Sequence, residues 1–212
     1  MKRFLTIIAS ISLLVFLSTP AFSQQIRDSY KLGGNLPDFN TLKECGYVFS
    51  GNIRYYITDT TVLASQNGID SRRVDTLIVM SKFAYKKKTY FTTGLKEDAF
   101  YQCFNLHTVF LPDSFTSIAP GAFWDCYSLT SVNIPSFCET IGASAFRRTK
   151  LTSFVGNEGL QEIHGMAFFE CHRLEYVELP STLRGIGARA ISHCDDLRTV
   201  HVHFSEPIPI DE

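Results

Sequence analysis

The chain has 212 residues, is 45% hydrophobic and carries 20 Lys+Arg against 21 Asp+Glu, a formal net charge of −1. That length holds one domain with a substantial core. The charge balance lacks the basic footprint that nucleic-acid binding requires and so excludes that class of partner.

Lys2 and Arg3 precede an apolar run from Phe4 to Leu17, followed by Pro20, Ala21, Phe22 and Ser23. A basic start, an apolar centre and small residues at Ala21 and Ser23 describe a secretory signal peptide, residues 1–23, cut before Gln24. The run is about 14 residues, short of the roughly 20 that a spanning helix needs. No later stretch is long and apolar enough to span, so no membrane span is expected after cleavage. Without residues 1–23 the chain has 18 Lys+Arg against 21 Asp+Glu, a net of −3.

Residues 24–73 are expected to form an N-terminal β cap, in which NIRYYI and TVLAS flank the turn Thr58-Asp59-Thr60. A solenoid needs such a cap because its first rung otherwise exposes both core and unpaired backbone. Val74, Leu77 and Val79 then begin a strand pattern that recurs to the end of the chain. Two β-prone runs around Lys86, Lys87 and Lys88 read as a hairpin insertion at about 81–94.

From Ala99 the chain repeats one phrase: AFYQCFNLHTVFLP, AFWDCYSLTSVNIP from Ala122, AFRRTKLTSFVG from Ala145, AFFECHRLEYVELP from Ala167 and AISHCDDLRTVHVH from Ala190. A period of 22 or 23 residues carrying Leu-x-x-Val-x-Ile/Leu marks a solenoid whose rungs bury one another's apolar faces. The fold class read from it is α/β, strand-rich: a leucine-rich-repeat solenoid of about five rungs over residues 74–204. Each rung has a short strand, a second buried residue (Ile118, Ile141, Ile163, Ile186), and an Ala-Phe-x-x-Cys segment spaced for a short helical turn. Residues 205–212 begin a further, incomplete repeat, leaving a C-terminal edge that is a candidate for pairing with another chain.

Six cysteines in an exported chain point to disulfides, but the repeat places Cys103, Cys126, Cys171 and Cys194 in one register, where Thr149 stands in the middle rung. They read as a column of buried thiols, as does Cys138 at the position of Phe115, Leu160 and Leu183. Bridges Cys103–Cys126 and Cys171–Cys194 stay open as alternatives, because neighbouring rungs lie about 5 Å apart.

The phrase IPSFCETIGASAF, with LTSVN before it, resembles the BspA-like leucine-rich repeats of bacterial surface proteins. GNIRYYITDTTVLASQNG and KKKTYFTTGLKEDAF are similar to the lead-in of such proteins, so the likeness covers about residues 46–212. The third repeat departs from the pattern, with Thr149 for Cys, one residue fewer, and Gly156 where Pro is usual. The resemblance implies a curved, exported bacterial solenoid of a kind associated with adhesion to host proteins or other cells. It fixes no ligand residue.

No Gly-x-Ser-x-Gly elbow, phosphate-cradling Gly-Lys-Ser/Thr loop or His-Glu-x-x-His pair is present, so no catalysis is expected. His201 and His203 share one strand face without a third ligand, so neither a metal nor a cofactor is expected. The candidate site is the outward strand face, with columns Thr76, Thr108, Ser131, Ser153, Tyr176, Thr199 and Ile78, Phe110, Asn133, Val155, Glu178, His201. The expected partner is a protein or glycan on a host extracellular or neighbouring bacterial surface. The alternative is a structural module, or a shortened surface repeat protein with no ligand of its own.

Overall fold

The computed structural model describes residues 47–50, 53–57, 61–66, 75–85 and 88–211. The signal peptide and the first part of the cap lie outside the described residues, as do Val74 and the turn Thr58-Asp59-Thr60. Three strands open the described chain as an antiparallel meander: β1 (Tyr47–Ser50), β2 (Ile53–Ile57) and β3 (Thr61–Gln66). After β4 (Thr76–Ile78) come β5 (Lys82–Tyr85) and β6 (Lys88–Leu95), an antiparallel hairpin. β6 also pairs in parallel with β3, giving one sheet in the order β1-β2-β3-β6-β5. The hairpin is thus a continuation of the N-terminal sheet, joined to it by long-range pairing that a local strand–turn–strand pattern does not reveal. Ser114 Oγ, in a solenoid turn, donates to Thr92 O at 2.6 Å and ties the two parts together.

The repeats then wind through two parallel ladders. The strand face carries β4, β7 (Thr108–Phe110) and β9 (Ser131–Val132), then β11 (Ser153–Val155), β13 (Tyr176–Leu179) and β15 (Thr199–Val202). The second ladder runs through β8 (Ser117–Ile118), β10 (Thr140–Ile141), β12 (Glu162–Ile163) and β14 (Gly185–Ile186). It contains the recurring isoleucines that the sequence marked as buried. Its four strands count four complete turns, one fewer than the expected five, and Ile210 bridges Ile186 to begin another.

Among the described residues there is no helix, so the α part of the expected class reduces to turns. Each Ala-Phe-x-x-Cys segment is a run of four-residue turns, such as Trp124 N–H to Gly121 O at 3.0 Å and Cys126 N–H to Phe123 O at 3.2 Å. Two left-handed residues per rung interrupt the coil. Asp98, Gly121, Ser144, Met166 and Arg189 precede the alanine, and Gln102, Asp125, Arg148, Glu170 and His193 precede the Cys position, with φ between 52° and 62°. They turn backbone N–H groups onto the next rung, as in Phe100 N–H to Ala122 O and Phe123 N–H to Ala145 O, both 2.8 Å. A non-glycine residue costs roughly 1–2 kcal/mol in this conformation, and the repeated inter-rung bonds offset it.

The core fills the space between these three sides. Ala99, Ala122, Ala145, Ala167 and Ala190 are buried, and their neighbours Phe100, Phe123, Phe146 and Phe168 stack in sequence. Successive ring centroids are 5.6, 5.6 and 5.4 Å apart with interplanar angles of 8°, 8° and 14°. The small alanine leaves room for the turn, and each large ring packs on the next rung's ring. Cys103, Cys126, Cys138 and Cys171 are buried free thiols; Cys194, in the last rung, is half-buried. Cys126, Cys171 and Cys194 each donate to the carbonyl of a preceding rung's phenylalanine (Phe100, Phe146 and Phe168) at 3.1, 3.0 and 3.3 Å. Burial pushes the Cys138 thiol up to about 11 and Cys194 to about 12. Thr149 holds the thiol position in the third rung, with Oγ1 3.4 Å from Cys171 Sγ.

Candidate functional site: the outward strand face

Because side chains alternate along a strand, the buried residues Leu77, Val109, Phe154 and Val177 leave their flanking residues on the outside. The ladder register aligns them as Thr76↔Thr108↔Ser131 and Ile78↔Phe110 in the first half. In the second half it gives Ser153↔Tyr176↔Thr199 and Val155↔Glu178↔His201. None of these residues enters the core, so the structure brings all of them to one face.

The two halves differ in chemistry. In the first, Ile78 and Phe110 are half-buried beside the hydroxyls of Thr76 and Thr108. The second carries a polar cluster. Tyr176 Oη donates to Glu178 Oε2 at 2.6 Å, His203 Nε2 lies 2.9 Å from Glu178 Oε1, and the Tyr176 and His201 rings meet at 5.5 Å. The Tyr176 hydroxyl, and after it His203, holds the Glu178 carboxyl below the usual carboxylate range. The same bond raises the Tyr176 hydroxyl. Since the folded-state value of Glu178 is depressed, the cluster favours the folded state above the unfolded carboxylate value and loses that contribution as pH falls through the folded one. His203 is a member that the two columns left out. Among the described residues no group of three His, Cys, Asp or Glu side chains is placed to hold a metal.

Asn133 has a different task from the one its column assigns. Its Nδ2 donates to Leu111 O at 2.8 Å and its Oδ1 accepts from Leu111 N–H at 2.7 Å. Pro135, two residues on, has no N–H for the ladder, and the amide side chain supplies that pairing instead.

The opposite, turn side carries a second organised column. Tyr101 packs on Trp124 at 5.1 Å, the Arg147 guanidinium lies 5.1 Å from both the Trp124 and Phe169 ring centres, and Phe169 meets His193 edge-on at 5.1 Å. Beside it Arg148 lies between Asp125, 3.7 Å away, and Glu170, with which it forms a direct ion pair. That pair holds Glu170 low and Arg148 high. Reading the residue after each Ala-Phe in register finds this column, but the mixture of Tyr, Trp, Arg and Phe hides it from a search for like residues. Among the described residues β15 pairs only with β13, and Val200, Val202 and Ile210 are 43%, 51% and 68% exposed.

The model of the BspA type leucine-rich repeat region matches residues 93–208 in six copies. Comparison with curated proteins finds no match. Among solved structures, a leucine-rich repeat protein of Bacteroides ovatus is similar with a TM-score of 0.55 and 22% identity, over 72% of this chain and 46% of that one. The T. pallidum leucine-rich repeat protein has a TM-score of 0.58 and 18% identity, over 77% and 85% of the two chains. The pneumococcal vaccine antigen PcpA has a TM-score of 0.54 and 15% identity, over 74% and 50%. The chain therefore spans about half the length of the first and third of these. At such identities the likeness is one of fold, and it agrees with the ladders and core described above. With six repeat copies matched over more than half of its length, the chain belongs to the BspA-type leucine-rich-repeat family.

Proposed function

We propose that this is an exported or cell-surface repeat protein that acts without catalysis and binds a protein or glycan through its strand face. The observation that carries the reading is the alignment of outward residues within two three-stranded ladders, with Phe110 in one and Tyr176 in the other and neither used by the core. An extended, low-relief face of this kind suits an extended partner. The signal-peptide pattern of residues 1–23 and the likeness to a vaccine antigen support a surface location.

The test begins with residues 24–212 as bait against host extracellular proteins and neighbouring bacterial surfaces. Double replacement Phe110→Ala and Tyr176→Ala is expected to weaken the captured ligand roughly ten- to hundredfold, the usual effect of removing interface aromatics. An unchanged affinity, with the fold intact by circular dichroism, would overturn the assignment of the face.

A further inference from the structure

The outward column that contains Phe110 and Glu178 is uneven in height and in charge. Phe110, on β7, is half-buried and apolar. Asn133 follows, its amide laid against Leu111 through two hydrogen bonds, and then Val155, short and 53% exposed. Glu178, on β13, is the register partner of Val155 and comes next. A long side chain thus stands at each end of a low stretch. One end is apolar and the other is a carboxylate.

Glu178 is the only Asp, Glu, Lys or Arg in the two outward columns. One position before the strands, Asp75 and Glu175 stand against Arg198, so the rim adds no net positive charge. The Glu178 side chain is 31% exposed, which leaves its charge within reach of a partner. Tyr176 Oη and His203 Nε2 lie 2.6 and 2.9 Å from its two oxygens, one on each. A carboxylate has about four lone-pair sites, so each oxygen keeps one free. The hydrogen bond also fixes the Tyr176 ring beside the carboxylate, and His201 meets that ring from β15. On the β11 side the register partner of Tyr176 is Ser153, exposed and too short to cover it.

A carboxylate beside an aromatic ring, both open on one side, matches a guanidinium. Its planar N–H groups bond carboxylate oxygens while its flat face stacks on a ring. A neutral saccharide would leave the carboxylate charge unbalanced. The chain uses the same chemistry within itself on the turn side. There Arg147 lies 5.1 Å from the Trp124 and Phe169 ring centres, and Arg148 pairs with Glu170. The outward columns of the strand face hold no arginine of their own.

We infer that the strand face takes an extended polypeptide segment by an arginine held at Glu178 and Tyr176, with an apolar side chain against Phe110. Those two ends lie three strand steps apart, about 14 Å at the spacing of neighbouring strands. Four residues of extended chain cover about the same distance, and residues i and i+4 point to one side. The recognised pattern is therefore an apolar residue and an arginine four positions apart, on a segment that crosses the strands. The inference rests on the strand face being the binding surface and names its partner class.

The probe is acetyl-Ser-Leu-Thr-Ser-Thr-Arg-Ser-amide, titrated at pH 7.5 into the isotope-labelled protein and followed by amide chemical shifts. Saturable binding in roughly the millimolar range or tighter is expected for so short a segment, with shifts centred on Val155, Tyr176 and Glu178. Citrulline in place of arginine keeps the shape, removes the charge and should weaken binding about fivefold or more. Glu178→Gln should weaken the arginine peptide to the same degree and leave the citrulline peptide unchanged. The same residues reordered as acetyl-Ser-Leu-Arg-Ser-Thr-Thr-Ser-amide should also bind more weakly. Absence of saturable binding, equal binding of the citrulline or reordered peptide, an inert Glu178→Gln, or shifts centred elsewhere would overturn the inference. So would shifts at Tyr176 and Glu178 with maltohexaose and none with the peptide, which would make the site a glycan site. The Phe110→Ala and Tyr176→Ala variant is read with the captured ligand, independently of the peptide. If it loses that ligand while the peptide fails, the strand face stands and only this partner class falls.

Discussion

Phe146→Ala is expected to lower stability by about 3–5 kcal/mol, the range for truncating a fully buried aromatic ring. Phe146 is fully buried and stacks between Phe123 and Phe168 at 5.6 and 5.4 Å. Its removal leaves a hole that rungs tied by backbone bonds along the second ladder and the turn side cannot close. A domain of this size has about 5–15 kcal/mol in total, so the variant should show a large fall in its urea midpoint or fail to accumulate folded. Phe146→Leu keeps most of the volume and is expected to cost less than about 1.5 kcal/mol. Equal midpoints for the Ala and Leu variants would show that the rings do not form a continuous load path through the core.

The second large effect is expected at Gly142. A Cβ there would lie 2.5 Å from Pro120 N, 2.7 Å from Ala119 C and 2.7 Å from Ile118 O, all backbone atoms of the preceding rung. Backbone held by ladder bonds on either side cannot yield as a side chain would, so Gly142→Ala is expected to cost about 2–3 kcal/mol. The same register position reads Ala119, Gly142, His164 and Gly187 on successive rungs, alternating a side chain with none. A Cβ on Gly187 would lie 2.3 Å from Gly165 N, so the tight approach recurs two rungs later. Ala119→Gly, at a position that already accepts a side chain, should cost no more than about 1 kcal/mol. Thermal unfolding of the two variants gives the comparison, and a Gly142→Ala midpoint equal to wild type would contradict the close contact.

Much of this architecture is legible in the sequence because period and burial coincide. Val109, Val177, the recurring isoleucines and the Ala-Phe pairs all sit where a 22- or 23-residue period puts them, and Leu77 precedes Val109 by one period lengthened by the β5–β6 hairpin. The same arithmetic puts Thr108, Phe110, Tyr176 and Glu178 on one outward face. What the period conceals depends on single departures from it. Asp98, Met166 and Arg189 take left-handed backbone without being glycine, because the inter-rung bonds impose it, and only Gly121 advertises the position. The strand-face ladder breaks between β9 and β11, at the repeat that is one residue shorter and beside Asn133, whose amide pairs with Leu111. The pairing of β6 with β3 joins segments whose local patterns look independent. The Trp124–Arg147–Phe169 column escapes notice because stacking accepts a guanidinium as readily as a ring.

The most direct test of the account is photo-cross-linking with the captured ligand. A benzophenone side chain is placed at Phe110 or Tyr176 on the strand face, and in separate proteins at Phe104 or Tyr127 on the turn side, where the native rings are 38% and 42% exposed. The account predicts ligand adducts from positions 110 and 176 and none from 104 and 127. Adducts from 104 and 127 alone would contradict it and move the binding surface to the turn side.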